Sequence, residues 1–240
     1  MISNIPDLEI LLPVHNEAGS IEQTIHEIYA AVSPHAKVRF IVCEDGSSDG
    51  TEKVLAELAK SIPMKLTTSR TRKGYSRAVI DGIKSLEASY LLCLDSDGQC
   101  DPWEFEKFWT SRDSQDLAIG WRVKRSDSFG RRFLSRSFFL VYQAFYHVPV
   151  HDPSCPFVLA HKTVVQRLLP ELGVMKEGFW WEFTARAYRH GFKIQEFPVN
   201  HRLRSAGQTQ VYRLKRMPGI GYRHFLALFE ILRQTRKSSS

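Results

Sequence analysis

"YLLCLDSDGQCDP", Tyr90–Pro102, is the stretch on which the fold turns. Its apolar run has strand length and no polar alternation, so it reads as a strand buried on both faces. It ends in two aspartates one residue apart, Asp95 and Asp97, with Gly98 at once behind them. Pro102 then suits the first position of a helix, where its missing N–H costs nothing. A buried strand that passes through a polar turn into a helix is the repeating unit of a parallel α/β sheet.

The same unit recurs outward from this point. "LEILLPV" (Leu8–Val14), "KVRFIVC" (Lys37–Cys43), "MKLTTS" and "DLAIGWR" (Asp116–Arg122) read as four more strands. "GSIEQTIHEIYAAV" carries Ile21, Ile25, Ile28 and Val32 at helical spacing. "DGTEKVLAELAKSI" is a helix with Asp49 as its cap and Val54, Leu55, Leu58 and Ile62 facing inward. "GYSRAVIDGIKSLEA" is the next. The expected fold is α/β, a mostly parallel sheet with helices on both faces, whose ligands bind at the carboxyl ends of the strands.

The second half is less regular. Ser128–His147 reads as a helix, basic at its start and aromatic later, and "CPFVLAH" as a strand. "GFWWEFTARAYRHG" reads as a helix closed by Gly191. "FKIQEFPVNHR" is extended, and Pro198 places it at a sheet edge. "IGYRHFLALFEILRQTRK" is amphipathic, with Tyr222, Phe225, Leu226, Phe229 and Leu232 on one side.

At 240 residues and 43% hydrophobic, the chain suits one domain with at most an appendage. Cys43, Cys93, Cys100 and Cys155 have no close pairing and read as buried free thiols of a reducing compartment. The N-terminus lacks a signal-peptide pattern, and no apolar run reaches the roughly 18–20 residues that span a bilayer. Charge is unevenly spread. Trp121–Arg136 has six Lys/Arg and one acidic residue, and His201–Ser240 has nine and one. Of 33 basic and 26 acidic residues overall, the rest of the chain holds 18 and 24. An acidic core with two basic segments points to an anionic partner, a membrane or a nucleic acid.

Four of the five strands in the first half are followed by ionisable groups: His15 and Glu17 behind Pro13; Glu44, Asp45 and Asp49; Arg70 and Lys73; Asp95 and Asp97. The fifth strand itself ends in Arg122. Asp45, at a strand tip, can accept hydrogen bonds from a base's ring N–H and amino groups. Neither G-x-G-x-x-G nor G-x-x-x-x-G-K occurs, so dinucleotide folds and phosphate loops fit poorly. Asp95 and Asp97 would face opposite ways on an extended strand, but where the chain turns both can reach one divalent ion. A hard ion such as Mg2+ takes oxygen ligands and keeps phosphate oxygens in its shell. The other chemistry that starts in Asp-x-Asp-Gly, a haloacid-dehalogenase-like phosphatase with an aspartyl nucleophile, fits less well. That motif normally opens its fold, whereas three strand–helix units precede it here. Gln99 stands where a threonine-like residue is usual, and no later acidic pair ends a strand. A nucleic-acid module would not explain acids at successive strand ends, since they repel phosphate unless a metal intervenes.

Together the strand ends resemble the family-2 glycosyltransferases. "LLPVHNE" is similar to their opening Pro-x-x-Asn-Glu. "VCEDGSSDGT" is similar to Asp-Asp-Gly-Ser-x-Asp-Gly-Thr, with Glu44 for the first aspartate. "LDSDGQCDP" matches their Asp-x-Asp element, and its tail resembles the dolichyl-phosphate mannose synthase branch. "GWR" and "HDPSCPFVL" resemble that branch's Gly-Ser-Arg and Asp-x-x-Ser-Gly-Phe. "FPVNHRLRSAGQTQVY" resembles Pro-Val-x-His-Arg-x-Arg-x-x-Gly-x-Ser-Lys-Tyr of polyprenyl-phosphate glycosyltransferases, with Gln210 in place of the lysine. The resemblance covers roughly residues 8–215 and implies the GT-A fold, with a transferase domain over 1–215 (donor half 1–122, acceptor half 123–215) and a basic amphipathic helix and tail over 216–240. It implies that Pro13, His15, Glu17, Glu44 and Asp45 border the nucleoside of a nucleotide-sugar donor, with Arg70 and Lys73 near it or near phosphate. Asp95 and Asp97 would place Mg2+ or Mn2+ on the diphosphate, and Gln99 would line the sugar side. Arg122, Arg131, Arg132, Arg202 and Arg204 would meet donor or acceptor phosphate.

An inverting transfer to a sugar hydroxyl needs a carboxylate base. The one strong candidate is Glu182, which reads equally well as an N-terminal helix residue. A lipid phosphate, ionised at neutral pH, needs cations instead. The expectation is therefore transfer of a hexose from a GDP-mannose- or UDP-glucose-type donor to a polyprenyl phosphate, by a protein peripheral on the cytoplasmic face of the membrane. Its two basic aromatic helices would lie on an anionic surface, and nucleic acid is not a partner.

Overall fold

The computed structural model describes residues 5–123, 129–202 and 217–237, with side chains for 5–123, 135–202 and 221–235. Seven strands form one sheet in the order β3-β2-β1-β4-β6-β5-β7. They are β1 (Leu8–Val14), β2 (Val38–Glu44), β3 (Met64–Thr68), β4 (Tyr90–Cys93), β5 (Leu117–Arg122), β6 (Val158–His161) and β7 (Ile194–Val199). The helices are α1 (Ile21–Val32), α2 (Thr51–Leu58), α3 (Tyr75–Ile83), α4 (Phe105–Thr110), α5 (Phe129–Tyr146), α6 (Lys162–Leu168), α7 (Phe179–Arg189) and α8 (Met217–Lys237). The expected mostly parallel α/β sheet is what forms, and β7, with Pro198, lies at its edge.

One strand breaks the parallel run. β6 lies antiparallel between β4 and β5, with Cys93 opposite Val158 and Tyr90 opposite His161. Reversal has a consequence for the site. The segment leading into β6, His151–Phe157, lies at the carboxyl end of β4, beside Asp95.

β1 is buried along its whole length, and its register with β2 sets Val14 beside Glu44. α3 crosses this pair closely. A Cβ on Gly82 would stand 2.3 Å from Leu11 Cδ1 and 2.8 Å from Cys43 Sγ, so only glycine permits the approach. Tyr75 stands at the opposite, N-terminal end of α3. Two local expectations shift. Gly50, not Asp49, immediately precedes α2, while the Asp49 carboxylate accepts from the Thr51 N–H. The helix after Asp101 opens with a 3-10 turn, Pro102–Glu104, whose Trp103 N–H is capped by Asp101.

A second, smaller core joins α5, α7 and α8 through Tyr142, Tyr146, Ala185, Ala227, Leu228 and Ile231. Tyr146 donates to the Leu228 carbonyl at 2.6 Å. The side of α8 that docks is His224, Ala227, Leu228, Ile231 and Thr235. Tyr222, Phe225, Leu226 and Phe229 point outward and are exposed. Of the apolar stripe expected on this helix, Tyr222, Phe225, Leu226 and Phe229 thus lie on its outer face, whereas Leu232 packs against the second core. Among the described residues no helix is long and apolar enough to cross a membrane.

Candidate active site

The first two strand ends are stitched into one surface. His15 Nδ1 lies 2.9 Å from the Asp45 carbonyl. Ser48 donates its N–H to Asn16 Oδ1, and the Asn16 N–H donates to Ser47 Oγ. Glu17 donates its N–H to Thr51 Oγ1 and accepts from Ser20 Oγ on Oε2. Glu44 accepts from the Ser47 N–H and is buried. Pro13 is buried within β1, opposite Cys43.

The third strand end closes over them. Gly46, at φ 67°, sits under the Thr71–Arg72 backbone, 2.7 Å from where its Cβ would be. Asp45 accepts the N–H groups of Lys73 at 2.6 Å and Gly74 at 2.8 Å. Arg70 is exposed at the rim. The Lys73 ammonium is drawn away to Asp81, at 2.8 Å, and that hydrogen bond raises its pKa.

Asp95 and Asp97 follow β4 and are half-buried. Asp97 Oδ1 accepts from the Gln99 N–H at 3.1 Å. Asp95 Oδ1 accepts from the Tyr75 hydroxyl at 2.9 Å, and that hydroxyl accepts from Trp180 Nε1 at 2.8 Å. Burial first, then the Asp95 charge, pushes the Tyr75 hydroxyl well above its ordinary pKa. Among the described residues no group of three or more His, Cys, Asp or Glu could hold a metal ion. Two carboxylates at a strand end fit a hard divalent ion whose remaining ligands are phosphate oxygens and water.

The segment that follows β7 meets this loop directly. Arg202 donates its N–H to the Gln99 carbonyl at 2.9 Å, Gln99 Nε2 donates to the Arg202 carbonyl at 3.2 Å, and Cys100 pairs with His201. The two motifs are far apart in sequence and share one short antiparallel bridge.

Three expected roles need correction. Glu182 is fully buried and accepts from the N–H groups of Gly173, Val174 and Met175 and from Arg186. A carboxylate sealed in this way reaches no substrate, so it is not the base. The Arg202 guanidinium is forked onto Glu27 and Asp101, at 2.6 and 2.7 Å, rather than turned to a phosphate site. Arg122 lies in a largely buried pair with Asp152, at 2.7 Å, and bonds Ser154 Oγ at 2.8 Å. Burial works against its charge, but the Asp152 carboxylate outweighs this and holds its pKa above the ordinary value. The side chains of Arg131 and Arg132, and all of Arg204 and Gln210, lie outside the described residues. Tyr75, Trp180 and Asp152 join the site although no role was expected of them. Only Asp152, in "HDPSCPFVL", carried any signal in the sequence.

Comparison with known proteins bears on the family and the fold. The chain is 28% identical over 93 residues to a poly-beta-1,6-N-acetyl-D-glucosamine synthase of Staphylococcus epidermidis, covering 39% of this chain and 22% of that protein. It thus spans about a fifth of that relative's length. It is 26% identical over 214 residues to the polyprenol monophosphomannose synthase of Mycolicibacterium smegmatis, covering 84% of this chain and 80% of that one. Its fold is similar to glucosyl-3-phosphoglycerate synthase from Mycobacterium tuberculosis, solved with Mn2+, uridine diphosphate and glucosyl-3-phosphoglycerate. There the TM-score is 0.69 at 17% identity, over 95% of this chain and 80% of that chain. The sheet is that of the GT-A glycosyltransferases, and, with the glycosyl transferase family 2 model matching residues 9–169, the chain belongs to that family.

Proposed function

We propose that this protein is an inverting hexosyltransferase that moves a sugar from a nucleotide donor, of the GDP-mannose or UDP-glucose type, to a polyprenyl phosphate. The observation that carries the choice of acceptor is the burial of Glu182. The one strong candidate for a base is locked into backbone N–H groups and Arg186, which favours an acceptor that needs no base. An ionised lipid phosphate is such a nucleophile. Its oxygen attacks the anomeric carbon from the face opposite the leaving group. The carbon–oxygen bond to the diphosphate breaks, and the nucleoside diphosphate leaves with the electron pair; no proton moves. The relative named for polyprenol monophosphomannose synthesis, similar over most of this chain, supports the same acceptor class.

The residues divide by strand end. Pro13, His15, Glu17, Glu44 and Asp45 border the nucleoside, with Arg70 at the rim near it or near phosphate and Lys73 contributing its backbone N–H to Asp45. Asp95 and Asp97 would hold Mg2+ or Mn2+, which supplies charge compensation to the departing diphosphate. The fold relative solved with Mn2+ supports a divalent ion there. Gln99, tied to Arg202, lines the sugar side. Residues 1–215 act as the transferase domain, with 1–122 as donor half and 123–215 as acceptor half. The outward aromatic face of α8 rests on an anionic membrane at its cytoplasmic face, without crossing it.

The test is a donor screen with Mn2+ and a short polyprenyl phosphate, scored as lipid-linked sugar. Product from one donor is the expected result. Folded protein that makes none from any donor overturns the proposal.

A further inference from the structure

Four consecutive residues at the start of α3 touch three parts of the site. The N–H groups of Lys73 and Gly74 hold the Asp45 carboxylate. Tyr75 bonds Asp95 and Trp180. The Ser76 hydroxyl is aimed at the carbonyls of Met175, at 3.0 Å, and Lys176, at 2.6 Å. Donor base, metal carboxylate and acceptor half are thus joined through one turn.

The middle contact has a fixed direction. An indole nitrogen can only donate, and an ionised carboxylate can only accept. The Tyr75 oxygen, occupied by the Trp180 N–H, therefore aims its one proton at Asp95 Oδ1. Trp180 is buried against Phe179 and Phe183, which leaves the indole little freedom. The carboxylate is held from behind by a chain that begins in the acceptor half, on α7.

We infer that Tyr75 is a positioning residue that orients Asp95 for its metal ion, with Trp180 coupling that orientation to the acceptor half. This rests on the transferase reading above. A hydrogen bond to a charged group is stronger than one between neutral groups, so its loss is large enough to see in metal affinity.

Mn2+ binding in the presence of UDP or GDP, measured by electron paramagnetic resonance, tests this in the 240-residue chain. Tyr75→Phe keeps the ring and removes only the relay, and its Mn2+ dissociation constant is expected to rise about tenfold. Trp180→Phe is expected to raise it about threefold, and it serves if Tyr75→Phe does not fold. A purely structural role would lower the unfolding temperature of either variant and leave the dissociation constant of the folded protein alone. In metal-free wild type, the Trp180 indole N–H resonance is expected to differ from that of Tyr75→Phe. Folded variants that bind Mn2+ within twofold of wild type overturn the inference and leave the transferase reading standing. Wild type that binds no Mn2+ with either nucleotide overturns both.

Discussion

The backbone N–H of Arg202 donates to the carbonyl of Gln99 at 2.9 Å. This bond joins the strand-β7 exit to the turn that carries Asp97. The Gln99 side chain returns a bond to the Arg202 carbonyl, so two hydrogen bonds tie the segments together. The exit of β7 is therefore built onto the turn that carries Asp97.

Asp97→Ala tests that turn. The variant is expected to lose at least about 100-fold in sugar transfer, the loss of a few kcal/mol of charge stabilisation. Asp97 is half-buried, and its carboxylate accepts from the Gln99 N–H, a bond worth about 1 kcal/mol. Loss of that bond alone lowers the melting temperature by about 2–4 °C, measured by calorimetry, so the fall in activity should far exceed the fall in stability. Activity that persists would remove Asp97 from the metal site.

Glu182→Gln should show the opposite pattern. Removing the charge leaves buried Arg186 with Glu171 as its remaining carboxylate. Breaking a buried pair costs about 3–5 kcal/mol, so a drop in melting temperature of roughly 6–20 °C is expected. Turnover by the folded fraction at low temperature should stay within about threefold of wild type. A large fall in turnover with unchanged stability would restore Glu182 as a base.

Much of the site was legible because a buried parallel strand is an unbroken apolar run, and its end is where polarity starts. Val14, Cys43 and Leu94 mark three such ends, and the acids behind them are the ones the fold assembles. The Tyr75–Trp180 bond was not legible, because the partners lie on helices from different halves with no shared period. α8 was ambiguous for a different reason. Both of its faces are apolar, so the pattern could not say that Leu228 and Ile231 dock while Tyr222 and Phe229 face outward. Glu182 had two readings, and only burial separates them.

The outward face of α8 gives a prediction of its own. Tyr222 and Leu226 are 66% and 49% exposed, so replacing both by serine should lower the melting temperature by no more than about 2 °C. Burying a large apolar side chain in the interface is worth about 1.5–3 kcal/mol. Binding to vesicles rich in anionic lipid should weaken by at least about tenfold, read by co-sedimentation. Unchanged binding would remove this face from membrane contact.

The acid limb of stability has a local reporter. Glu87, bonded by Lys65 and Arg39, has its pKa lowered to about 2. A depressed carboxylate contributes stability above its unfolded pKa of about 4.5 and loses it as pH falls toward 2. Glu87→Gln should therefore unfold at lower urea than wild type at pH 6, and the gap should close steadily between pH 4.5 and pH 2. A gap that is constant with pH would exclude the charge as its cause.

The most direct test of the account sets a polyprenyl phosphate against the matching free polyprenol and a glycan acceptor. All three are offered with the preferred donor and Mn2+, and labelled products are separated. Sugar on the phosphate alone is the predicted result. Transfer to either hydroxyl acceptor, with the lipid phosphate untouched, would contradict it.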